Sequence, residues 1–228
     1  MGAVLFTAFS PKALAFLRAL KRHNDRDWFR ARKDQYDALL RQPMEALVER
    51  LAGDLRGFAP DLVANPKTSI YRIYRDTRFS DDQTPLKTHI AAIFPRRGLP
   101  KHQGAGLYLE VAPDRVWLGG GLYAPDSSQL QKVREHIAVN HRRLCSIVES
   151  PVFRKAVGQL AGETLQRVPR GFTNDHPATA YLKHRQFLAG QELPATFATS
   201  PRFYAGILAV FRQVAPLTTF LNEPLVDD

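Results

Sequence analysis

Gly106-Leu107-Tyr108-Leu109-Glu110-Val111-Ala112, then Pro113-Asp114, then Arg115-Val116-Trp117-Leu118-Gly119-Gly120-Gly121-Leu122-Tyr123 decide the fold class of this 228-residue chain. A Pro-Asp turn signal between two strand-like runs predicts an antiparallel hairpin. Upstream, Ser69–Asp76 (SIYRIYRD) is rich in Ile and Tyr, lacks Gly and Pro, and predicts another strand. Ile90–Phe94 is a further short candidate. Helical patterns lie before and after these strands, without regular βαβ alternation. The expected class is therefore α+β: an N-terminal helical cluster packed on a central antiparallel or mixed sheet, with further helices. No repeat and no Gly/Ser/Pro-rich linker divides the chain, so residues 1–228 are expected to form a single domain.

Ser10-Pro11 reads as an N-cap followed by Pro at the first helical position, with Ala13, Leu14, Leu17 and Leu20 on one face. A second helix is expected from Asn24 or Asp25. A third starts near Pro43, with Met44, Leu47, Val48, Leu51 and Leu55 inward and Gly57 as its stop. After the hairpin, Ser127 or Ser128 caps a long helix, and Ser150-Pro151 opens a short one through Leu160. Thr164–Val168 and Gln186–Leu188 read as strands, with a helical turn at Ala178–Lys183 between them. Ser200-Pro201 opens the last helix and Pro216 ends it.

Lys and Arg number 32 and Asp and Glu 22, for a net charge of +10. Residues 67–102 hold half of that excess, with eight basic and three acidic residues. A field of this sign attracts phosphorylated small molecules, nucleic acid or acidic proteins. A single cysteine, Cys145, excludes an internal disulfide framework, and a buried, inert thiol is expected there. The purely apolar stretches are short, so no segment is expected to span a bilayer, and no membrane partner is implied. Residues 1–10 lack a secretory pattern, and the expected location is cytoplasmic.

The chemistry concentrates in residues 71–90, Tyr-Arg-Ile-Tyr-Arg-Asp-Thr-Arg-Phe-Ser-Asp-Asp-Gln-Thr-Pro-Leu-Lys-Thr-His-Ile. On a strand, Arg72, Tyr74 and Asp76 face one side and Tyr71, Ile73 and Arg75 the other, so neither face is purely apolar. Planar guanidinium groups match phosphate or carboxylate. Arg72, Tyr74, Arg75, Arg78 and Lys87 are the candidate ligand-binding residues, with Lys183 from a later loop. His89, Asp175 and His176 are the candidate catalytic acid–base groups. The bland alternative has Asp76 pairing with these arginines and Asp81-Asp82 capping a turn, all to brace the fold. Asp175 reads equally as a helix cap. Gly119-Gly120-Gly121 is read as close backbone packing or a bulge rather than a phosphate loop, because no Gly-Lys-Ser/Thr follows.

The chain resembles the bacterial and fungal domain of unknown function family 2461. The resemblance rests on Arg72-x-Tyr74-Arg75-Asp76-Thr77-Arg78-Phe79-Ser80 and Thr84-Pro85-x-Lys87-Thr88-His89-Ile90. It continues in Gly119-Gly120-Gly121-x-Tyr123-x-Pro125, in Gly171-Phe172-x-x-Asp175-His176-Pro177 and in Leu182-Lys183. Phe16-Leu17-x-x-Leu20 and Asn24-Asp25-Arg26-Asp27-Trp28-Phe29 match the family's start. Leu86 departs from it, standing where an aromatic is common. The resemblance implies one family domain over nearly the whole chain and supplies no activity.

The expected function is binding of a small anionic ligand, phosphorylated or not, in an Arg/Lys/His-lined cleft, with hydrolase or transferase chemistry if it is an enzyme. Residues 72–89 would form one wall and residues 171–183 the other. The competing readings are a module for nucleic acid or an acidic protein, and a purely structural motif. No zinc-finger, basic-heptad or RNP-type signature supports a nucleic-acid reader. No cofactor motif is present and no metal is expected. His136 and His141 lie about 140° apart around their helix and cannot easily share an ion. Nothing in the sequence specifies an oligomeric state.

Overall fold

Four strands form the sheet: β1 (Ile90–Phe94), β2 (Gly106–Val111), β3 (Arg115–Leu122) and β4 (Phe187–Pro194), in the order β1-β2-β3-β4. All neighbours are antiparallel. The structure is a computed structural model that describes residues 6–76 and 82–226. The hairpin expected from Pro113-Asp114 is β2–β3, with Leu109 opposite Leu118 and Val111 opposite Val116.

The helices precede and follow the sheet, so the fold is α+β. α1 (Pro11–Arg22), α2 (Arg26–Arg30), α3 (Lys33–Tyr36), a π-helical turn at Asp37–Arg41 and α4 (Gln42–Phe58) form the N-terminal cluster. Leu17, Leu20, Leu40, Met44, Leu47 and Leu51 meet in its interior. Asp25 caps α2, its carboxylate accepting from the Asp27 and Trp28 amides at 2.8 and 2.9 Å. α4 runs through Gly57 to Phe58, because that glycine sits on an exposed helical face and needs no left-handed backbone. A single turn, α5 (Pro66–Ser69), precedes the sheet.

After the hairpin come α6 (Ser127–Val148), α7 (Pro151–Val157), α8 (Thr179–Leu182) and α9 (Phe203–Asn222). Asp126, not a serine, caps α6, in a capping box with Gln129. α7 stops before Gly158, whose φ of 76° suits a helix exit. α9 continues through Pro216, since that residue faces solvent and water can satisfy the Arg212 carbonyl left without its amide.

Two strand expectations fail. Residues 70–76 make only isolated bridges, Ile70 to Ala92 and Tyr74 to Leu86. Thr164 makes a single bridge to His184, and no strand forms at 164–168. In both segments the side chains alternate without an apolar face to bury, so pairing does not propagate. β4 instead extends six residues past Leu188.

The sheet has two unlike faces. Ala92, Phe94, Leu107, Leu109, Val116, Leu118, Leu122 and Phe187 are buried on one, against α9. Phe94 meets Phe211 there edge-on at 5.6 Å. α6 and α7 pack on α9 in turn. α9 and the turn after it, Phe203–Leu225, are long and apolar enough to cross a membrane by length and composition, against the sequence expectation, and 56% of the 18-residue apolar stretch within them is buried inside the protein. The other face carries Tyr108, Glu110, Arg115, Trp117 and Glu192, and no helix among the described residues covers it.

Candidate functional site

A cleft of about 560 Å³ lies over this second face. Period-two alternation puts Tyr108 and Glu110 of β2, Arg115 and Trp117 of β3, and Leu188 and Glu192 of β4 on its floor. The Trp117 indole lies across Gly119 and Gly190, which are direct partners in the β3–β4 ladder. A Cβ on Gly190 would come within 2.6 Å of the indole, and one on Gly119 within 2.8 Å. The glycines therefore let a large ring pack closely on the sheet. This is the close packing expected of the triple glycine. Gly121 adds a φ of 130°, reserved for residues without a Cβ.

Tyr71, Lys87, His89 and His102 complete the lining from the segments flanking β1. Asn24 positions the first of these segments. Its amide donates to the Leu86 carbonyl at 2.9 Å and its Oδ1 accepts from the Leu86 amide at 3.0 Å, copying a strand partner. Leu86 itself is fully buried. The rings form a chain: His102 stacks on Tyr71 at 5.9 Å, Tyr71 meets Tyr108 edge-on at 6.2 Å, and Tyr108 meets Trp117 at 5.6 Å. The ammonium groups of Lys87 and Lys101 lie 4.9 and 4.3 Å from the centre of the Tyr71 ring.

Glu110 is the fixed carboxylate of the floor. It accepts from the Tyr108 hydroxyl at 2.9 Å and from Arg115 Nη2 at 3.1 Å. Arg115 Nε also lies 3.5 Å from Glu192. His89 Nε2 is 3.8 Å from Glu110 Oε2. Burial pulls the His89 imidazole below its ordinary range. Glu110 opposes that shift, and Lys87, Arg75 and Arg115 reinforce it, so the ring is neutral at pH 7. Burial also lowers Lys87, helped by Arg72 and Arg75. It lowers Lys101 and His102, and raises the Tyr71 phenol to about 12.

The structure divides the residues singled out from the sequence. Lys87 and His89 line the cleft. Arg75 stands behind them, with Nη1 3.0 Å from Asp82 and a buried Nε that has no hydrogen-bond partner. Arg72 is exposed, 3.8 Å from Asp76. Tyr74 is half-exposed, with its ring edge against Phe29. Arg78 lies outside the described residues. Asp175, His176 and Lys183 do not line the cleft, and the two-walled site expected from residues 72–89 and 171–183 is corrected accordingly. His176 packs 5.7 Å from His141 of α6, and buried Arg134 of α6 ties down Leu182 and His184 by their carbonyls. α6 lies beyond α9, on the covered side of the sheet. Asp175 is fully exposed. The second wall is supplied by the open sheet face instead.

Sequence reasoning missed Tyr71, Lys101, His102, Tyr108, Glu110, Arg115 and Trp117 as site residues. A signal for four of them was present: in β2 and β3 the apolar set Leu107, Leu109, Val111, Val116 and Leu118 alternates with Tyr108, Glu110, Arg115 and Trp117. Cys145 is half-buried rather than buried, and burial beside Glu149 raises its thiol, which keeps it protonated. Among the described residues, no three His, Cys, Asp or Glu side chains gather as a metal site.

No curated protein matches the chain. The profile of a family described as a conserved hypothetical protein matches residues 12–220, which include both the sheet and the segment holding Lys87 and His89. The chain belongs to the domain of unknown function family 2461.

Proposed function

We propose that the protein binds a small anionic ligand in the cleft over the open sheet face, with Lys87 as the principal anchor. The observation that supports this most is the state of that lysine. Its ammonium is partly withdrawn from water, lies over the Tyr71 ring, and has no carboxylate partner among the described residues. A cation so placed gains from an anion entering beside it. Lys101 lies against the same Tyr71 ring, and the Arg75 guanidinium adds to the positive field.

His89 is the proton-transfer group in this reading. It is neutral at pH 7, so it can accept a proton, and Glu110 favours the protonated form that results. A hydrolase or transferase acting on a phosphorylated small molecule is the enzymatic form of the proposal. The exposed side chains of Arg72 and Tyr74 favour a second reading, a nucleic-acid or acidic-protein contact on the outer surface.

Thermal unfolding in the presence of ribose 5-phosphate, nucleoside monophosphates and small carboxylates tests the choice. Protection of the wild type that is lost in Lys87→Gln and kept in Arg72→Gln supports the cleft. Protection lost in Arg72→Gln and kept in Lys87→Gln overturns it. A duplex or single-stranded oligonucleotide whose binding weakens steeply with salt, unaffected by Lys87→Gln, supports the surface reading.

A further inference from the structure

We infer that the ligand of this cleft is a planar aromatic or heteroaromatic ring carrying a phosphate or carboxylate, its ring on the Trp117 and Tyr108 floor and its anionic group at Lys87. The inference rests on the anion-binding reading above and adds the chemistry of the rest of the ligand.

Three features of the cleft point to a ring. Tyr71, His102, Tyr108, Trp117 and Tyr123 line it, and the first four are already in mutual ring contact. Two paired glycines leave room for the Trp117 ring to pack closely on the sheet, and the indole lines the space above it. Stacking against an indole tolerates any planar partner. The third feature is that the polar groups of the floor are already paired with one another. Glu110 is occupied by Tyr108 and Arg115, and Arg115 is shared with Glu192. A sugar lying on that floor would find few groups free to bond its hydroxyls, which costs affinity. A ring loses little there. The charge is also polarised: Lys87, Lys101 and His102 cluster with Tyr71, whereas Gly106, Gly121 and Leu188 at the other end bring no charge, and no charged side chain among the described lining residues stands with them. A ligand with one apolar flat part and one anionic part fits that division.

Tryptophan fluorescence makes the test direct, because the chain has two tryptophans and the other, Trp28, belongs to the N-terminal cluster. The probes are AMP, GMP, UMP, indole-3-acetate, ribose 5-phosphate and adenosine, titrated into the Trp28→Phe variant and, by calorimetry, into the wild type. At least one ring-bearing anion is expected to quench Trp117 and to bind about tenfold or more tighter than ribose 5-phosphate. Trp117→Leu is expected to remove most of that preference, and Lys87→Gln to weaken ring-bearing and ringless anions alike. Equal binding of AMP and ribose 5-phosphate, with no quenching, overturns the ring and leaves the anion site standing. Adenosine binding as tightly as AMP overturns the anion site and keeps the ring. No binding by any probe overturns both.

Discussion

His89 and Asn24 show how much rests on single side chains. The imidazole is held below its ordinary value by burial and by Lys87, with Glu110 working the other way. Proton NMR of the histidine ring should therefore place its midpoint below 6.5, the value of an unperturbed histidine. Glu110→Gln removes the group that favours the charged ring, so the midpoint should fall further. A rise on that substitution would mean that Glu110 does not act on His89. Asn24 does not line the cleft, yet both its hydrogen bonds go to the backbone of Leu86, one residue before Lys87. Asn24→Ala leaves a buried amide and carbonyl unpaired, at a cost of about 1–3 kcal/mol. Chemical denaturation should read that loss. Ligand affinity should fall as well, and wild-type affinity in this variant would show that Lys87 is positioned by something else.

At the scale of elements, glycine separates the helix from the sheet. Gly57 lies in α4 with nothing within 4 Å of where a Cβ would stand. Gly57→Ala should stabilise the protein by about 0.5–1 kcal/mol, from the entropy of the unfolded chain and helix propensity. Gly121 is the opposite case. Its φ is 130°, and a Cβ would run into the Phe187 carbonyl across the β3–β4 ladder. Gly121→Ala should cost more than about 2 kcal/mol and loosen the floor of the cleft. Denaturation midpoints of the two variants on either side of the wild type are the expected outcome. α9 continues past Pro216 for a related reason: the helix turns that position to water, where a missing amide bond is cheapest.

For the whole molecule, α9 is the hub. Phe211 is fully buried between it and Phe94 of the sheet, so Phe211→Ala should cost about 3–5 kcal/mol in urea unfolding. The pH dependence of stability is also a global property. His89, His102, His136 and His184 are all depressed, with burial the largest cause in each. The folded state then binds protons more weakly than the unfolded chain in the window below about 6.5. Stability is fully present above that value and is lost as the pH falls through the lowered folded values. Thermal scans between pH 7.5 and 5 should show a falling midpoint, and a midpoint that rises on acidification would contradict these four assignments together.

Some of this was readable in one dimension. Helix starts at Ser10-Pro11, Asp25 and Ser150-Pro151, the apolar stripes of α1 and α4, and the hairpin around Pro113-Asp114 all follow from interactions within a few residues of each other. Local rules suffice there because caps, turns and helical faces are set by neighbours in the chain. The α+β class and the basic central segment followed in the same way. Lys87 and His89 were picked out because charge and hydroxyls cluster around them in sequence. Tertiary structure alone decided the rest. Which sheet face stays uncovered depends on where α9 packs, and that choice turned Tyr108, Glu110 and Trp117 from strand residues into a floor. It also set Asp175, His176 and Lys183 beside α6, away from the cleft, although their residue types suited it. Proximity between segments ninety residues apart is fixed by the burial of apolar faces, to which the polar residues of a site contribute almost nothing.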